Sequence, residues 1–257
     1  MKTEAIILAQ GTQKRLGMKF GYKQLLRLPE RANMPIMLRT ALQCRYADVA
    51  VHGNRGEMDI TVVCASPLAL EFHNAWREAT TNKMFWHTHE LAYPGNSSLK
   101  GIARYLETTR AGVAYSDIPD RTIVLFGDVV YSWACLSAIW GRAETCGWVG
   151  TSNLSAGGGE LWGVAWSRPF EDEMMRMLRD ALLRHPPFAE EYQPGQMRRW
   201  ISGGRSGDIA AHVAQFVATG HYVANDDYTH DIDLPHDFAL LPELSVAAAA
   251  DDKANWP

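Results

Sequence analysis

The size, composition and charge of the chain restrict what it can be. Its 257 residues are enough for one large α/β domain with a sizeable core, and 47% hydrophobic with 21% charged residues is ordinary for a globular protein. The formal net charge of −4 gives no global field that would attract nucleic acid or an anionic membrane, so an anionic ligand requires a local cluster of positive groups. We expect neither nucleic acid nor a membrane as a partner.

The cysteines and the N-terminal segment indicate a cytoplasmic protein. None of the 4 cysteines stands in a CxxC pair, which excludes the usual zinc spacing. The apolar run at residues 5–9 is too short for the core of a signal peptide and far too short to span a membrane. We therefore expect a cytoplasmic chain whose thiols stay reduced.

Strands and helices alternate in the first half of the chain. In chain order, the sequence predicts a buried strand at 5–9, a helix opened by Pro35, a strand at 59–64, a helix at 68–77, a strand at 83–87, a helix capped by Ser97, a strand at 122–126 and a helix at 132–144. This alternation favours an α/β fold with a doubly wound, Rossmann-like, three-layer and mainly parallel sheet. Ligands of such sheets bind at the C-terminal ends of the strands, where residues 10–23 and 127–128 lie.

The second half of the chain is less regular. The sequence predicts a strand at 161–166, helices at 171–183 and 208–219, a short strand at 222–224 and an irregular stretch at 186–207. We expect residues 1–244 to form a single domain, with a lid or acceptor-binding insertion around 168–207. The tail at 245–257 is alanine-rich and then acidic, and is expected to be frayed.

A basic, glycine-containing loop follows the first predicted strand. Gly11 lets the backbone approach a ligand closely, and successive N–H groups in such a turn form an anion-binding concavity. Arg15 adds a planar fork of donors suited to phosphate, and Lys23 adds a point charge. This combination suits a triphosphate whose leaving group is pyrophosphate; the alternative is a surface loop with scattered basic residues. Neither the P-loop pattern GxxxxGK[ST] nor the dinucleotide pattern GxGxxG is present.

Two acidic elements are candidates for a metal site. Asp128 ends the clearest buried strand, and residues 231–237 read Asp-Ile-Asp-Leu-Pro-His-Asp. Mg²⁺ prefers one or two carboxylates together with phosphate oxygens and waters. The alternatives are that Asp128 caps the following helix, and that Asp231 and Asp233 form a polar helix start before Pro235.

These residues resemble the nucleotidyltransferases of the GT-A type, which include sugar-1-phosphate nucleotidyltransferases, CDP-methylerythritol and CMP-sugar synthetases, and molybdenum cofactor guanylyltransferases. Residues 8–17 and 23–26 follow the pattern LA(A/G)Gxx(x)R(M/L)G and KxLL, with Gln10 at the position of the alanine or glycine. The chain departs from it at Gln13, where a second glycine is usual, and at Tyr22, where proline is usual.

The resemblance implies roles for particular residues. It implies that Arg15 and Lys23 are catalytic, and that Asp128 and Asp233 hold Mg²⁺, with Asp231 able to replace Asp233. It implies that six residues bind the nucleotide: Leu8, Ala9, Gly11, Thr12, Asn96 and Ser98. Asn96 and Ser98 belong to a Gly/Ser-rich turn, for which the alternative is a plain helix cap. It also implies that Glu160 contacts the acceptor.

The activity so implied is Mg²⁺-dependent transfer of NMP from an NTP to a small phosphorylated acceptor, such as a sugar phosphate, with release of pyrophosphate. An acceptor phosphate is already ionised, so no strong general base is needed. One alternative is a GT-A glycosyltransferase with a nucleotide-sugar donor, because residues 231–233 form a DxD. The other is a nucleotide-binding module without turnover.

Overall fold

The computed structural model describes residues 2–9, 22–31, 33–52, 58–64, 66–79, 86–90, 105–143, 146–152, 161–175, 222–232 and 236–256. Within these ranges the strands are β1 (Thr3–Leu8), β2 (Arg27–Leu28), β3 (Met34–Pro35), β4 (Met58–Cys64), β5 (His87–Glu90), β6 (Arg121–Phe126), β7 (Val129–Val130), β8 (Cys146–Gly150), β9 (Leu161–Ser167), β10 (Tyr222–Ala224) and β11 (His230–Asp231). The longer helices are α1 (Ile36–His52), α2 (Ser66–Ala79), α3 (Trp133–Arg142) and α4 (Asp237–Asn255).

Seven of the strands form one mixed, mostly parallel sheet in the order β10-β8-β9-β6-β1-β4-β5. Strand β9 runs antiparallel to both of its neighbours, whereas the other pairs are parallel. Two small antiparallel ribbons accompany it, β2 with β3 and β7 with β11. The predicted α/β fold with a mainly parallel sheet is confirmed.

Strands β1 and β6 lie at the centre of the sheet, and every residue of both is buried. Strands covered on both faces carry continuous apolar runs, which explains why both were visible in the sequence. Leu8 of β1 pairs in register with Val63 of β4 and with Phe126 of β6. The C-terminal ends of three parallel strands therefore meet at one edge.

Helices cover both faces of this sheet. The Thr3 hydroxyl lies 3.2 Å from an Asp48 carboxylate oxygen in α1, whereas Glu4 accepts a 2.6 Å hydrogen bond from the hydroxyl of Tyr105, in the helical segment 105–110. Successive residues of a strand point to opposite faces, so these two helical elements lie on opposite sides. The arrangement is three-layered, as expected.

Buried charges on the second face are paired through Arg110. Its guanidinium contacts Glu4 of β1 and donates a 3.1 Å hydrogen bond to Glu171, whose other oxygen accepts a 2.5 Å hydrogen bond from the Trp166 indole. Buried ions require such partners, because each loses its hydration. The segments at 105–110 and 171–175 are thereby joined to β1 and β9.

The two histidines of β5 contact side chains of neighbouring elements. His87 lies 2.8 Å from the Thr61 hydroxyl and 3.2 Å from a carboxylate oxygen of Asp59. The ring of His89 packs edge-on against Tyr105, with centroids 4.9 Å apart. Both rings therefore have structural roles on this face.

The prediction that residues 245–257 form a frayed tail is wrong. Helix α4 extends from Asp237 to Asn255, and Ser245, Ala248 and Asp252 are buried in it. Alanine is the strongest helix former, and the acidic residue Asp252 pairs with Arg39 in α1 instead of being solvated. The tail therefore belongs to the folded body.

Other predictions are met in part or lie outside the described residues. The strand expected at 83–87 is observed at His87–Glu90, and residues 80–85 are outside the described ranges. Most of the helix expected after Ser97, most of the region 168–207 proposed as an insertion, and the helix at 208–219 also lie outside them. No helix in the described part of the chain is long and apolar enough to cross a membrane.

The pair between Asp59 and His87 makes stability depend on pH. Its hydrogen bond raises the pKa of His87 and lowers the pKa of Asp59. The contribution of His87 to the free energy of unfolding is complete below about pH 6.5 and is lost as pH rises through the raised pKa of His87. The contribution of Asp59 is present above about pH 4 and is lost as pH falls through the lowered pKa of Asp59. We expect the difference in unfolding free energy between wild type and His87→Asn to be largest at about pH 5 to 6 and smaller at about pH 8.

The pH-dependent part should stay below about 1 kcal/mol, because both side chains are roughly half exposed. Urea unfolding across this pH range measures it, and Asp59→Asn should remove the same pH dependence. If the difference in unfolding free energy between wild type and His87→Asn grows from pH 6 to pH 8, the stabilising role of the His87–Asp59 pair is contradicted.

Candidate active site

The ends of β1 and β6 are held side by side at the C-terminal edge of the sheet. The Gly127 amide donates a 2.8 Å hydrogen bond to the Leu8 carbonyl, and the Ala9 amide donates a 2.9 Å bond to the carbonyl of Val63. These bonds continue the ladder one residue beyond the strands. Asp128 is thereby placed next to the start of the predicted phosphate loop.

Gly127 permits this close approach. A Cβ atom at position 127 would lie 3.2 Å from the Leu8 carbonyl oxygen, 3.2 Å from the Ala9 Cβ and 3.3 Å from the Ala9 Cα. Two of these neighbours are backbone atoms of the central strand, which cannot rotate away. Packing against Leu8 and Ala9 therefore explains why glycine precedes Asp128.

Lys23 and Asp128 form an ion pair at this edge. Lys23 begins a short 3-10 turn, Lys23–Leu25, and its ammonium contacts the Oδ2 atom of Asp128. The two side chains are only 7% and 15% exposed, so each charge needs an opposite charge in contact, and the other member of the pair supplies one. Two of the residues singled out in the sequence, 105 positions apart (128 − 23), are brought together.

The late acidic element lies beside Asp128. Strand β11 pairs antiparallel with β7, which places Asp231 opposite Val129, and the Ile232 amide donates a 3.2 Å hydrogen bond to the Asp128 carbonyl. Of the two aspartates considered as a second metal ligand, Asp231 is therefore on the strand next to Asp128. Asp233 falls outside the described residues.

Tyr131 fixes the turn that follows Asp128. This fully buried side chain accepts a 2.8 Å hydrogen bond from the Phe126 amide and donates a 2.7 Å bond to the Trp162 carbonyl. Burial raises the pKa of Tyr131 well above its ordinary value, so the phenol stays protonated and able to donate. Sequence analysis missed this residue, and the available signal was a tyrosine in an apolar run, which needs a polar partner when buried.

A second group of polar residues lies at the ends of β8 and β10. These strands end at the same edge as β6, because β8 and β6 both run antiparallel to β9, and β10 runs parallel to β8. The Asn225 amide donates to the Gly150 carbonyl at 2.7 Å, and the Trp162 indole donates to the Asn225 carbonyl at 3.1 Å. Hydrogen bonds from the side chain of Ser152 and from its backbone amide, the latter 2.7 Å long, lower the pKa of the exposed Asp226 carboxyl. Sequence analysis singled out neither Asn225 nor Asp226, whose contacts are to distant backbone groups.

The remaining predicted site residues lie outside the described ranges: Gly11, Thr12, Arg15, Asn96, Ser98, Glu160 and Asp233. Their roles stay predictions. Leu8 and Ala9, which were predicted to bind nucleotide, lie at the end of β1 as described above.

The donors near Asp128 are suited to a hard cation. Carboxylate oxygens are the ligands that Mg²⁺ prefers, and Asp231 lies on the strand that pairs with β7 directly after Asp128. Within the described ranges, no three His, Cys, Asp or Glu side chains are grouped as in a complete metal site. A metal at Asp128 would need further oxygens from a ligand or water, and it would compete with the Lys23 ammonium.

Comparison with known proteins shows a shared fold. No protein-family model matches the sequence, and no curated protein matches it. A solved 4-diphosphocytidyl-2C-methyl-D-erythritol synthase from Anaerococcus prevotii DSM 20548 is 10% identical with a TM-score of 0.50, over 94% of each chain. Rv0371c from Mycobacterium tuberculosis H37Rv is 18% identical, with a TM-score of 0.47 over 94% of this chain and 97% of its own. Its homologue from Mycobacterium sp. strain JC1 is 17% identical, with a TM-score of 0.46 over 95% and 97%.

The Anaerococcus structure has the same α/β architecture, so the fold expected from the resemblance to nucleotidyltransferases agrees with a solved example. At this identity the likeness concerns the fold alone.

We expect Gly127→Ala to destabilise the protein. The added methyl group would push on the backbone of Leu8 and Ala9, and overpacking of this kind costs about 1–3 kcal/mol. Gly141→Ala, in α3, is the matched control, because nothing lies within 4 Å of its added Cβ and alanine favours the helix. Urea unfolding of both variants tests the point, and equal stability of the two would contradict the close approach as the reason for glycine.

Proposed function

We propose that this chain is a nucleotidyltransferase that moves an NMP group from an NTP to a small phosphorylated acceptor and releases pyrophosphate. The observation that carries the proposal is the Lys23–Asp128 pair at the C-terminal edge of the central parallel strands. Ligands of open α/β sheets bind at this edge. In this proposal the Lys23 ammonium would bind phosphate and the Asp128 carboxylate would hold a metal.

The transfer itself needs little covalent chemistry from the protein. An oxygen of the acceptor phosphate forms a bond to the α-phosphorus, the bond from that phosphorus to the bridging oxygen breaks, and its electron pair leaves with pyrophosphate. Lys23 and Arg15 would hold the leaving phosphates, where negative charge accumulates. The acceptor oxygen is already ionised, so the reaction requires no dedicated base.

We propose Asp128 with Asp231 or Asp233 as the carboxylates that hold Mg²⁺. When bound, the ion neutralises charge on the α-phosphate and aligns the reacting oxygens. Support comes from the placement of Asp231 opposite Val129 on the adjoining strand. Asp128 also stands on a backbone that is fixed by hydrogen bonds on both sides.

The shared fold makes nucleotidyl transfer the first activity to test. The Anaerococcus enzyme is named for a 4-diphosphocytidyl product. The panel should therefore include CTP, ATP, GTP and UTP. Acceptors should include sugar phosphates, polyol phosphates and phosphocholine.

We expect pyrophosphate release to depend on Mg²⁺, on one NTP and on one acceptor of this panel. Asp128→Asn and Arg15→Ala should each lower kcat/KM by about 10²–10³-fold, as does the removal of other charge-stabilising groups in active sites. Asp117→Asn, at an exposed aspartate in a separate turn, is the matched control and should leave turnover unchanged. Coupled detection of pyrophosphate measures all of these.

Three outcomes would overturn the proposal. Release of NDP from a nucleotide sugar without any pyrophosphate would support the glycosyltransferase alternative. NTP binding without product across the panel would support a nucleotide-binding module. Full turnover of Asp128→Asn would remove the proposed role of that carboxylate.

The Lys23–Asp128 pair also predicts that a metal ion competes with the Lys23 ammonium for Asp128. The Lys23 ammonium already compensates Asp128, so a free cation gains little there. Lys23→Met should raise the Mn²⁺ affinity of the nucleotide-free protein by about tenfold or more, because one nearby positive charge is removed. The same variant should bind the triphosphate more weakly.

Electron paramagnetic resonance of Mn²⁺ in titrations measures the first effect, and calorimetry with a non-hydrolysable NTP measures the second. Lys253→Met, at an exposed position of α4, is the control. Unchanged or weaker Mn²⁺ affinity in a folded Lys23→Met protein would contradict the competition.

A further inference from the structure

A buried arginine connects the turn that carries Asp128 to the C-terminal helix. Arg39 of α1 is 1% exposed, and its Nη1 atom donates a 2.6 Å hydrogen bond to the Tyr131 carbonyl. Its Nε and Nη2 atoms donate to the two carboxylate oxygens of Asp252, at 2.9 and 2.8 Å. One guanidinium thus contacts both the turn and α4.

Asp252 has a further partner in this cluster. It accepts a 3.0 Å hydrogen bond from the indole of Trp133, the first residue of α3. Asp251, beside it, accepts from the Trp133 amide at 2.8 Å and from the Tyr228 hydroxyl at 2.6 Å. Helix α4 therefore holds the start of α3, which directly follows the turn.

The turn is held by three sets of hydrogen bonds. The Tyr131 hydroxyl binds the backbones of β6 and β9, and the Tyr131 carbonyl binds Arg39. On the third side, the Asp128 carbonyl accepts from the Ile232 amide. The backbone between Asp128 and Tyr131 is consequently fixed at each end.

Stability alone does not account for a charged pair at this place. Replacement of a buried ion pair by apolar residues of similar volume is often neutral or stabilising. The directed bonds of the guanidinium to a carbonyl and a carboxylate instead define one geometry. Asp128 lies three positions before Tyr131, in the same turn.

We propose that Arg39 and Tyr131 are positioning residues for Asp128, and that α4, through Asp252, is a part of the active-site assembly. The inference rests on the proposed function, in which Asp128 is the carboxylate that holds the metal. Neither Arg39 nor Tyr131 would touch substrate. They would set the distance between Asp128 and the strand that carries Asp231.

The test uses two independent variants of the full chain, Arg39→Lys and Tyr131→Phe. Arg39→Lys keeps the charge but loses the fork that spans Tyr131 and Asp252, and Tyr131→Phe keeps the ring but loses the hydroxyl. We expect each to weaken Mn²⁺ binding in the presence of a non-hydrolysable NTP by about 10–100-fold, as groups that orient metal ligands do when removed. In turnover, the Mg²⁺ concentration for half activity should rise and kcat should fall, with the KM for NTP little changed.

The control is a core substitution matched for lost stability. Phe72→Leu, in α2, lies on a separate helix with a fully buried side chain, and should lower Tm while leaving the Mn²⁺ affinity as in wild type. A folded Arg39→Lys or Tyr131→Phe protein with wild-type Mn²⁺ affinity would show that the cluster is only structural and overturn the inference. If wild type binds Mn²⁺ with NTP, if the variants weaken that binding, and if no acceptor gives pyrophosphate, the inference stands while the proposed function fails.

Discussion

The parallel pairing of β1 with β6 is the constraint on which the site depends. It aligns Leu8 with Phe126, and the Gly127 amide extends the ladder to the Leu8 carbonyl. Two segments that are distant in sequence thereby leave the sheet at the same point, one toward the basic loop and the other toward Asp128. Any side chain at position 127 would widen this junction, because the neighbouring backbone atoms are already 3.2 to 3.3 Å from where its Cβ would stand.

Charges in the protein are buried in compensated groups. In three such groups opposite charges are in contact where water is largely excluded: Lys23 with Asp128, Arg39 with Asp252, and Arg110 with Glu4 and Glu171. In such surroundings a missing partner costs far more than a formed pair contributes. The pair at Asp128 differs from the others in its position, since it lies at the edge of the sheet where a ligand can offer alternative partners to both members.

The sequence was sufficient for the framework of the fold and for part of the site. Strands β1, β4 and β6 are apolar runs bounded by polar or turn residues, which is the pattern of a sheet buried on both faces. Lys23 and Asp128 could be placed together because both follow strands of one parallel sheet. The tail was mispredicted because the partner of Asp252 is 213 residues away, and composition gives no sign of it. Arg39 and Tyr131 were missed for a related reason: Arg39 binds a backbone carbonyl, which every residue possesses, so no side-chain pattern marks the contact.

The large sequence separation between Arg39 and Asp252 has a consequence for the order in which the molecule assembles. Closing so long a loop is entropically costly, and contacts of this kind tend to slow folding. An intermediate with β1 and β6 already paired would hold Leu8 against Gly127 but would lack the guanidinium bond to the Tyr131 carbonyl. The hydrogen bonds around the turn after Asp128 are therefore complete only once α4 has docked.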